Sequence, residues 1–153
     1  MPIDSQPCSD DSAGPAPAAE RVRAARILDA AGITPTPQRV EIARILLARP
    51  QHLSAEQVLC ILKQGELSVS KATVYNTLGL FAKRGLVREV IVDPSKVFYD
   101  SNCSEHHHFY DVESCTLTDI DAGDVDIGGF PDAPEGKVVD RVDVIVRVRS
   151  RQG

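Results

Sequence analysis

"SKATVYNTLGLFAKRGLV" occupies residues 70–87, and "REVIVDPSKVFYD" continues directly to residue 100. Ser70 is a good helix cap, and Lys83 and Arg84 precede Gly85, a common helix stop, so the spacing predicts a helix between them. At 100° per residue, Val74, Leu78 and Phe81 gather on one side and form a core face. Ala72, Tyr75, Asn76 and Gly79 fall on the opposite side, which is small and polar at its edges. The next stretch predicts two short strands joined by a turn at Asp93-Pro94-Ser95.

Upstream lie three more helix signals. Residues 21–31 read as a helix stopped by Gly32. In "TPTPQRVEIARILLARP", Thr36 can cap, Pro37 suits the first helical position, and Val40, Ile42, Ala43, Ile45, Leu46 and Leu47 supply the apolar side before Pro50. Ser54 and Gln57 then have capping-box spacing for a third helix, in which Cys60 of "VLCIL" is expected to be a buried small hydrophobe. Helices followed by a two-stranded ribbon make a winged helix-turn-helix. Its last helix can lie in a major groove, with Asn76 reading a base edge and Tyr75 touching a thymine methyl or a phosphate. Lys71, Lys83, Arg84, Arg39 and Lys96 are the expected phosphate contacts. The competing readings are an ordinary amphipathic helix with a solvated face, or a winged helix that binds only protein.

Charge divides the chain. Residues 1–19 carry −3, residues 20–99 carry +5 and residues 100–153 carry −7, within a net −5. A basic middle before an acidic end suggests two domains with different partners. The expected division is a disordered tail over 1–19, a winged-helix domain over 20–100 and a second domain over 101–153. The N-terminal "MPIDSQPCSDDSAGPAPAAE" is acidic, lacks an apolar core and is not a signal peptide. No apolar run approaches the roughly 20 residues that span a bilayer. A cytoplasmic protein without membrane contact is therefore expected. Its four cysteines, Cys8, Cys60, Cys103 and Cys115, form no CxxC pair, which argues against a structural zinc clamp.

Three of the four histidines stand together in "SEHHHFYD", residues 104–111. On a strand, His106 and His108 project together while His107 points the other way. Asp100 lies six residues earlier, and Asp119 falls on the neighbouring predicted strand, "CTLTDID". His52 can add a ligand from the DNA-binding half. Imidazole with carboxylate suits Fe, Mn or Zn and requires no sulfur. The alternatives are a solvated His-rich edge strand, an ordinary helix-entry role for His52, and an acidic face shared by Asp119, Asp121, Asp124 and Asp126. The final "KVVDRVDVIVRVRSR" alternates, with Val142, Val144, Val146 and Val148 on one face and charged residues on the other, which predicts a strand of an antiparallel sheet. So small a sheet buries little alone, and a two-fold dimer would complete its core and present two recognition helices to a palindromic operator.

"GITPTPQRVEIARILL", "HLSAEQV", "SKATVYNTLGLFAKRGLV" and "HHHFYDVES…LTDI", in that order, resemble the ferric uptake regulator family from about residue 20 to the end. The resemblance implies a dimeric metalloregulator of the α+β class: an N-terminal winged helix-turn-helix that binds double-stranded DNA and a small C-terminal α/β dimerisation domain. It implies that Ala72-Thr73-Val74-Tyr75 opens the recognition helix, adding Thr73 to the DNA-facing set. It also implies a regulatory site of His52, Asp100, His106, His108 and Asp119 for Fe2+, Mn2+ or Zn2+. The family's CxxC zinc site is not matched, since Asp111 and Ser114 stand where its first pair would fall, and Arg141 stands about where a second site has a histidine. These departures, the triple histidine and the ending "FPDAPEGKVVDRVDVIVRVR" look most like the iron response regulator branch. That branch implies haem as the cofactor, sensed at His106, His107 and His108, with DNA binding weakened by haem. The Cys-Pro haem motif of some members is reversed here, as Pro7-Cys8-Ser9, and is not carried over.

The function expected is a homodimeric transcription repressor governing iron or haem homeostasis. The alternative is a plain Fe-, Mn- or Zn-activated repressor of metal-uptake or peroxide-stress genes. An enzyme is not expected. Glu105 adjoins His106 and points to the opposite face, and a Cys103–His106 pair has no third group to orient it.

Overall fold

The computed structural model describes residues 17–153. The expected tail over 1–19 lies outside the described residues, except that Pro17–Ala19 belong to the first turn of helix α1, Pro17–Ala30. Proline fits there because the first helical N–H has no intrahelical partner to lose.

Helix α2, Pro37–Leu47, is capped by Thr36, whose side chain accepts from the Arg39 N–H. Helix α3, Ala55–Leu62, begins with the reciprocal box in which Ser54 accepts from the Gln57 N–H and Gln57 accepts from the Ser54 N–H. Helix α4, Lys71–Lys83, is capped by Ser70. Leu28, Ile42, Leu46, Val58, Val74, Leu78 and Phe81 fill the helical core and are fully buried. Cys60 is exposed instead. Val58 and Leu62, one turn apart, face inward, and a residue midway between them is carried to the outside of α3.

Between α2 and α3 runs a three-residue strand, β1 (His52–Ser54), absent from the expectation. It pairs antiparallel with β3 (Lys96–Asp100), and β3 pairs on its other side with β2 (Arg88–Asp93), giving the order β1-β3-β2. The wing is thus a three-stranded sheet with β3 at its centre.

The second sheet has the order β5-β4-β6, from β4 (His106–Asp111), β5 (Thr116–Asp121) and β6 (Ile145–Val148). A short 3-10 turn, Ala122–Asp124, follows β5. Strand β6 corrects two expectations. It covers four residues of the alternating segment, and it runs parallel to β4 rather than antiparallel. The reason is the long connection after β5, which brings the chain back in the same direction as β4, as parallel pairing requires.

The two sheets share a small core. Val90, Val92 and Phe98 of the wing pack with Tyr110, and Cys115, Leu117 and Ile145 border them. Arginines stitch the same boundary: Arg88 pairs with Asp143, Arg141 donates to the Glu89 carbonyl at 3.1 Å, and Arg147 donates to the Val92 carbonyl.

Candidate metal centre and nucleic-acid interface

Two cross-strand pairs build the centre. In the wing, the register sets His52 of β1 directly opposite Asp100 of β3. In the second sheet it sets His108 of β4 opposite Asp119 of β5. His106, two residues before His108, shares its face. One ligand atom from each of these five residues lies within 4.8 Å of all the others. Metal–nitrogen bonds of about 2.1 Å put opposite ligands about 4.2 Å apart, so the cluster is close to the width of one coordination sphere.

The electrostatics identify what belongs in the middle. Asp100 is 1% exposed. Its Oδ2 stands 2.7 Å from His106 Nε2, 3.1 Å from His108 Nε2 and 3.2 Å from His52 Nε2. His106 Nδ1 donates to the Ser104 carbonyl at 2.7 Å, because a carbonyl can only accept. In neutral His106 the proton is therefore on Nδ1, and Nε2 presents a lone pair to a carboxylate that also only accepts. Two acceptors face each other stably only with a cation between them, a proton or a metal ion. Fixing the tautomer through the outer nitrogen is also how metal-ligating histidines are commonly oriented. The residues present fit a divalent ion with nitrogen and oxygen donors.

Burial pushes the Asp100 carboxyl up, but hydrogen bonds from His108, His52 and the Asn102 N–H, with the charge of His52, outweigh it and hold Asp100 well below the usual carboxylate range. At His52 burial favours the neutral ring, and the hydrogen bond and charge of Asp100, followed by Asp119, overcome it and raise the pKa. Asp119 is the open side of the centre, with its side chain 45% exposed.

The three consecutive histidines divide between the two faces of β4, and His106 and His108 alone join the cluster. His107 lies on the other face of β4, where its Nδ1 accepts from the Val144 N–H at 3.1 Å. It is outside the five-residue cluster. Asp111, where a zinc cysteine would fall, accepts from the Glu113 and Ser114 N–H groups and forms the turn after β4.

The expected DNA-facing residues divide into two groups. Lys71, Ala72, Tyr75 and Asn76 are exposed together on the N-terminal half of α4, and Lys83 is exposed at its end. Thr73 is half-buried, its hydroxyl 2.9 Å from the capping Ser70 hydroxyl. The others make hydrogen bonds within the chain, Arg84 while still exposed. Arg39 donates to the Thr34 carbonyl at 3.0 Å and Arg84 to the Ala31 carbonyl at 3.3 Å. Lys96 reaches across to Cys115, with Nζ 2.9 Å from Sγ. Sequence reasoning missed Glu56 of α3, which accepts from the Tyr75 hydroxyl. Its only local signal is an acid in the first turn of a helix.

The model of the ferric uptake regulator family matches residues 30–127, well over half of the chain. A curated relative, the ferric uptake regulation protein of Synechococcus elongatus, is 37% identical over 69 residues, covering 44% of this chain and 47% of the relative, so the match spans about half of that protein's length. Among solved structures, the ferric uptake regulator of Pseudomonas aeruginosa with manganese superposes with a TM-score of 0.59 at 25% identity, covering 83% of this chain and 97% of the other. The Francisella tularensis regulator with iron superposes at 0.64 and 21% identity, covering 78% and 93%, which speaks to the fold. With this family match and this fold, the chain belongs to the ferric uptake regulator family, whose members are transcription regulators rather than enzymes.

Proposed function

We propose that this chain is a homodimeric repressor that binds double-stranded operator DNA through α4 and responds to Fe2+, Mn2+ or Zn2+ at His52, Asp100, His106, His108 and Asp119. The observation that carries the reading is the origin of the five donors. His52 and Asp100 come from the sheet of the winged helix, and the other three come from the second sheet. When bound, a divalent cation supplies the positive charge that lets both sets of donors stay together. The chain's own residues do the rest. Ser104 orients His106, β1 places His52 against Asp100, and Asp119 closes the centre from its exposed side. The angle between the halves is then set by occupancy, and with it the spacing of two recognition helices on a palindrome.

The same division explains why the operator half and the sensing half carry opposite charge. Lys71, Asn76 and Lys83 are exposed to meet DNA beside Tyr75, whose hydroxyl is held by Glu56, while Arg39, Arg84 and Lys96 also make hydrogen bonds within the chain. The exposed face of the second sheet supports a dimer. Phe109 and Val146 are register neighbours on adjacent strands, 40% and 39% exposed. No helix among the described residues is long and apolar enough to cross a membrane, and a DNA-binding regulator belongs in the cytoplasm.

The finer reading, haem sensing as in the iron response regulator branch, has less support than a bare ion. His106 and His108 are both directed at Asp100, and His107 is directed at Val144. One experiment separates them. Metal-free protein is titrated with Mn(II) or with haemin while affinity for an operator duplex is followed, in wild type and in His106→Ala. We expect Mn(II) to raise DNA affinity at least tenfold in the wild type and not in the variant. Release of DNA by one equivalent of haemin, lost in His106→Ala, would overturn the bare-ion reading in favour of haem.

A further inference from the structure

We propose that Glu56 is a positioning residue for sequence readout: it holds the Tyr75 hydroxyl as a donor, so that toward DNA this hydroxyl offers only acceptor lone pairs. The inference rests on the DNA-binding reading above.

Glu56 lies in the first turn of α3 and Tyr75 one turn into α4. The two helices form the helix-turn-helix, and the Tyr75 hydroxyl donates to Glu56 Oε1 across them. Tyr75 is 40% exposed, and Lys71 Nζ stands 5.8 Å from its ring centroid. An acid in the first turn of a helix already has a plain role, favourable interaction with the helix dipole. That role does not require Tyr75. The hydrogen bond adds a second one.

A phenol has one proton to donate and lone pairs to accept with, and an ionised carboxylate accepts only. The hydrogen bond to Tyr75 lowers the Glu56 pKa, and the same bond raises that of Tyr75, so the proton stays on the phenol and points at Glu56. What remains on the outward side of the hydroxyl is acceptor capacity. In the major groove, cytosine N4 and adenine N6 carry donors, whereas guanine O6 and N7 and thymine O4 are acceptors. A pinned Tyr75 therefore favours an amino-bearing base at its contact, and a free Tyr75 tolerates either kind. Lys71, over the ring and close enough to lower the Glu56 pKa further, offsets the negative charge that Glu56 brings near the phosphates.

The test uses the full chain with Mn(II). Wild type selects from a randomised duplex library, and affinities are then measured for all single-base changes of the selected site. We expect one position in each half-site at which adenine or cytosine is preferred over guanine or thymine by about 5- to 100-fold. Glu56→Ala should reduce that preference to about twofold and leave the other positions unchanged. Tyr75→Phe should do the same, and the double variant should lose nothing further, the signature of two residues acting as one unit. Glu56→Gln, whose amide oxygen still accepts, should keep most of the preference. The proposal is overturned if Glu56→Ala retains the preference, or if it weakens every position alike, which is a merely structural effect. A wild type that enriches no sequence overturns the DNA-binding reading and this inference with it.

Discussion

Asp100 is the residue on which the centre turns. It is 1% exposed, one oxygen faces three imidazole nitrogens, and the other accepts from the Asn102 N–H at 2.8 Å. A buried carboxylate is tolerable when cations or donors surround it, and costly when they do not. Protons on the histidines can serve, but a divalent ion satisfies Asp100 and the lone pair of His106 together. Any ion that binds only the folded chain stabilises it by about 2.7 kcal/mol at a hundred times its dissociation constant. Thermal unfolding of wild type with saturating Mn(II) should show a stabilisation of that order. Asp100→Asn removes the shared anionic ligand and should lower Mn(II) affinity by more than the roughly 10- to 100-fold typical for loss of an outer partner. An Asp100→Asn protein stabilised by Mn(II) as strongly as wild type would remove Asp100 from the centre. Asp100, His106 and His108 were legible as candidate ligands because imidazole and carboxylate two and six positions apart are visible in the sequence, whereas for His52 and Asp119 other roles stayed open until the family resemblance singled them out. What the sequence could not show was the hydrogen bond of His106 to Ser104, which depends on backbone geometry and fixes the tautomer.

At the scale of elements, legibility followed how local each signal is. The caps at Thr36, Ser54 and Ser70 were readable because a cap and its N–H partner lie within three residues. Strand β1 was not, because three residues cannot display a period of two, and its identity comes from pairing with β3 nearly fifty residues away. The direction of β6 was unreadable for the same reason. Alternation reports which face is apolar and says nothing of which neighbour the strand joins. Long-range ion pairs are equally silent in sequence. Glu41 of α2 joins Arg44 at 2.6 Å and Arg21 of α1 at 3.1 Å, while Arg44 also reaches Glu20 of α1. Burial works against ionised Glu41, but the hydrogen bonds and charges of Arg44 and Arg21 prevail and lower its pKa. A carboxyl with a depressed folded pKa contributes stability above its unfolded value, about 4.3, and loses it as pH falls through the folded value. Glu41→Gln should therefore cost about 0.5–1 kcal/mol at pH 7, and the gap to wild type should narrow progressively as pH falls below the unfolded value. Chemical denaturation at pH 7 and at a series of acid pH values checks it. An equal gap in acid would mean that packing of the side chain, not its charge, ties α1 to α2.

The whole molecule is legible as a consequence of what each half lacks. The helical half has a core of its own, closed around Phe81, Leu78 and Leu28. The second sheet does not. Its inner face is shared with the wing through Tyr110 and Phe98, 6.3 Å between ring centroids. Its outer face leaves Phe109 and Val146 in solvent beside each other. Apolar neighbours on a strand pair gain most when a second surface covers them. A second copy of the chain is the partner that also makes sense of one recognition helix per chain, since a dimer matches two half-sites about one helical turn apart. Phe109→Glu with Val146→Glu places two like charges side by side on that face, where they repel each other and resist desolvation. Neither residue touches the metal centre or α4, so Mn(II) binding and the far-ultraviolet circular dichroism should stay as in wild type. Sedimentation should show a monomer, and operator affinity should fall by at least a hundredfold while affinity for non-specific DNA, which needs only one basic surface, changes by less than tenfold. If the doubly substituted chain still sediments as a dimer, the interface lies on another surface of the second sheet, and the free edge of β6 becomes the next place to substitute.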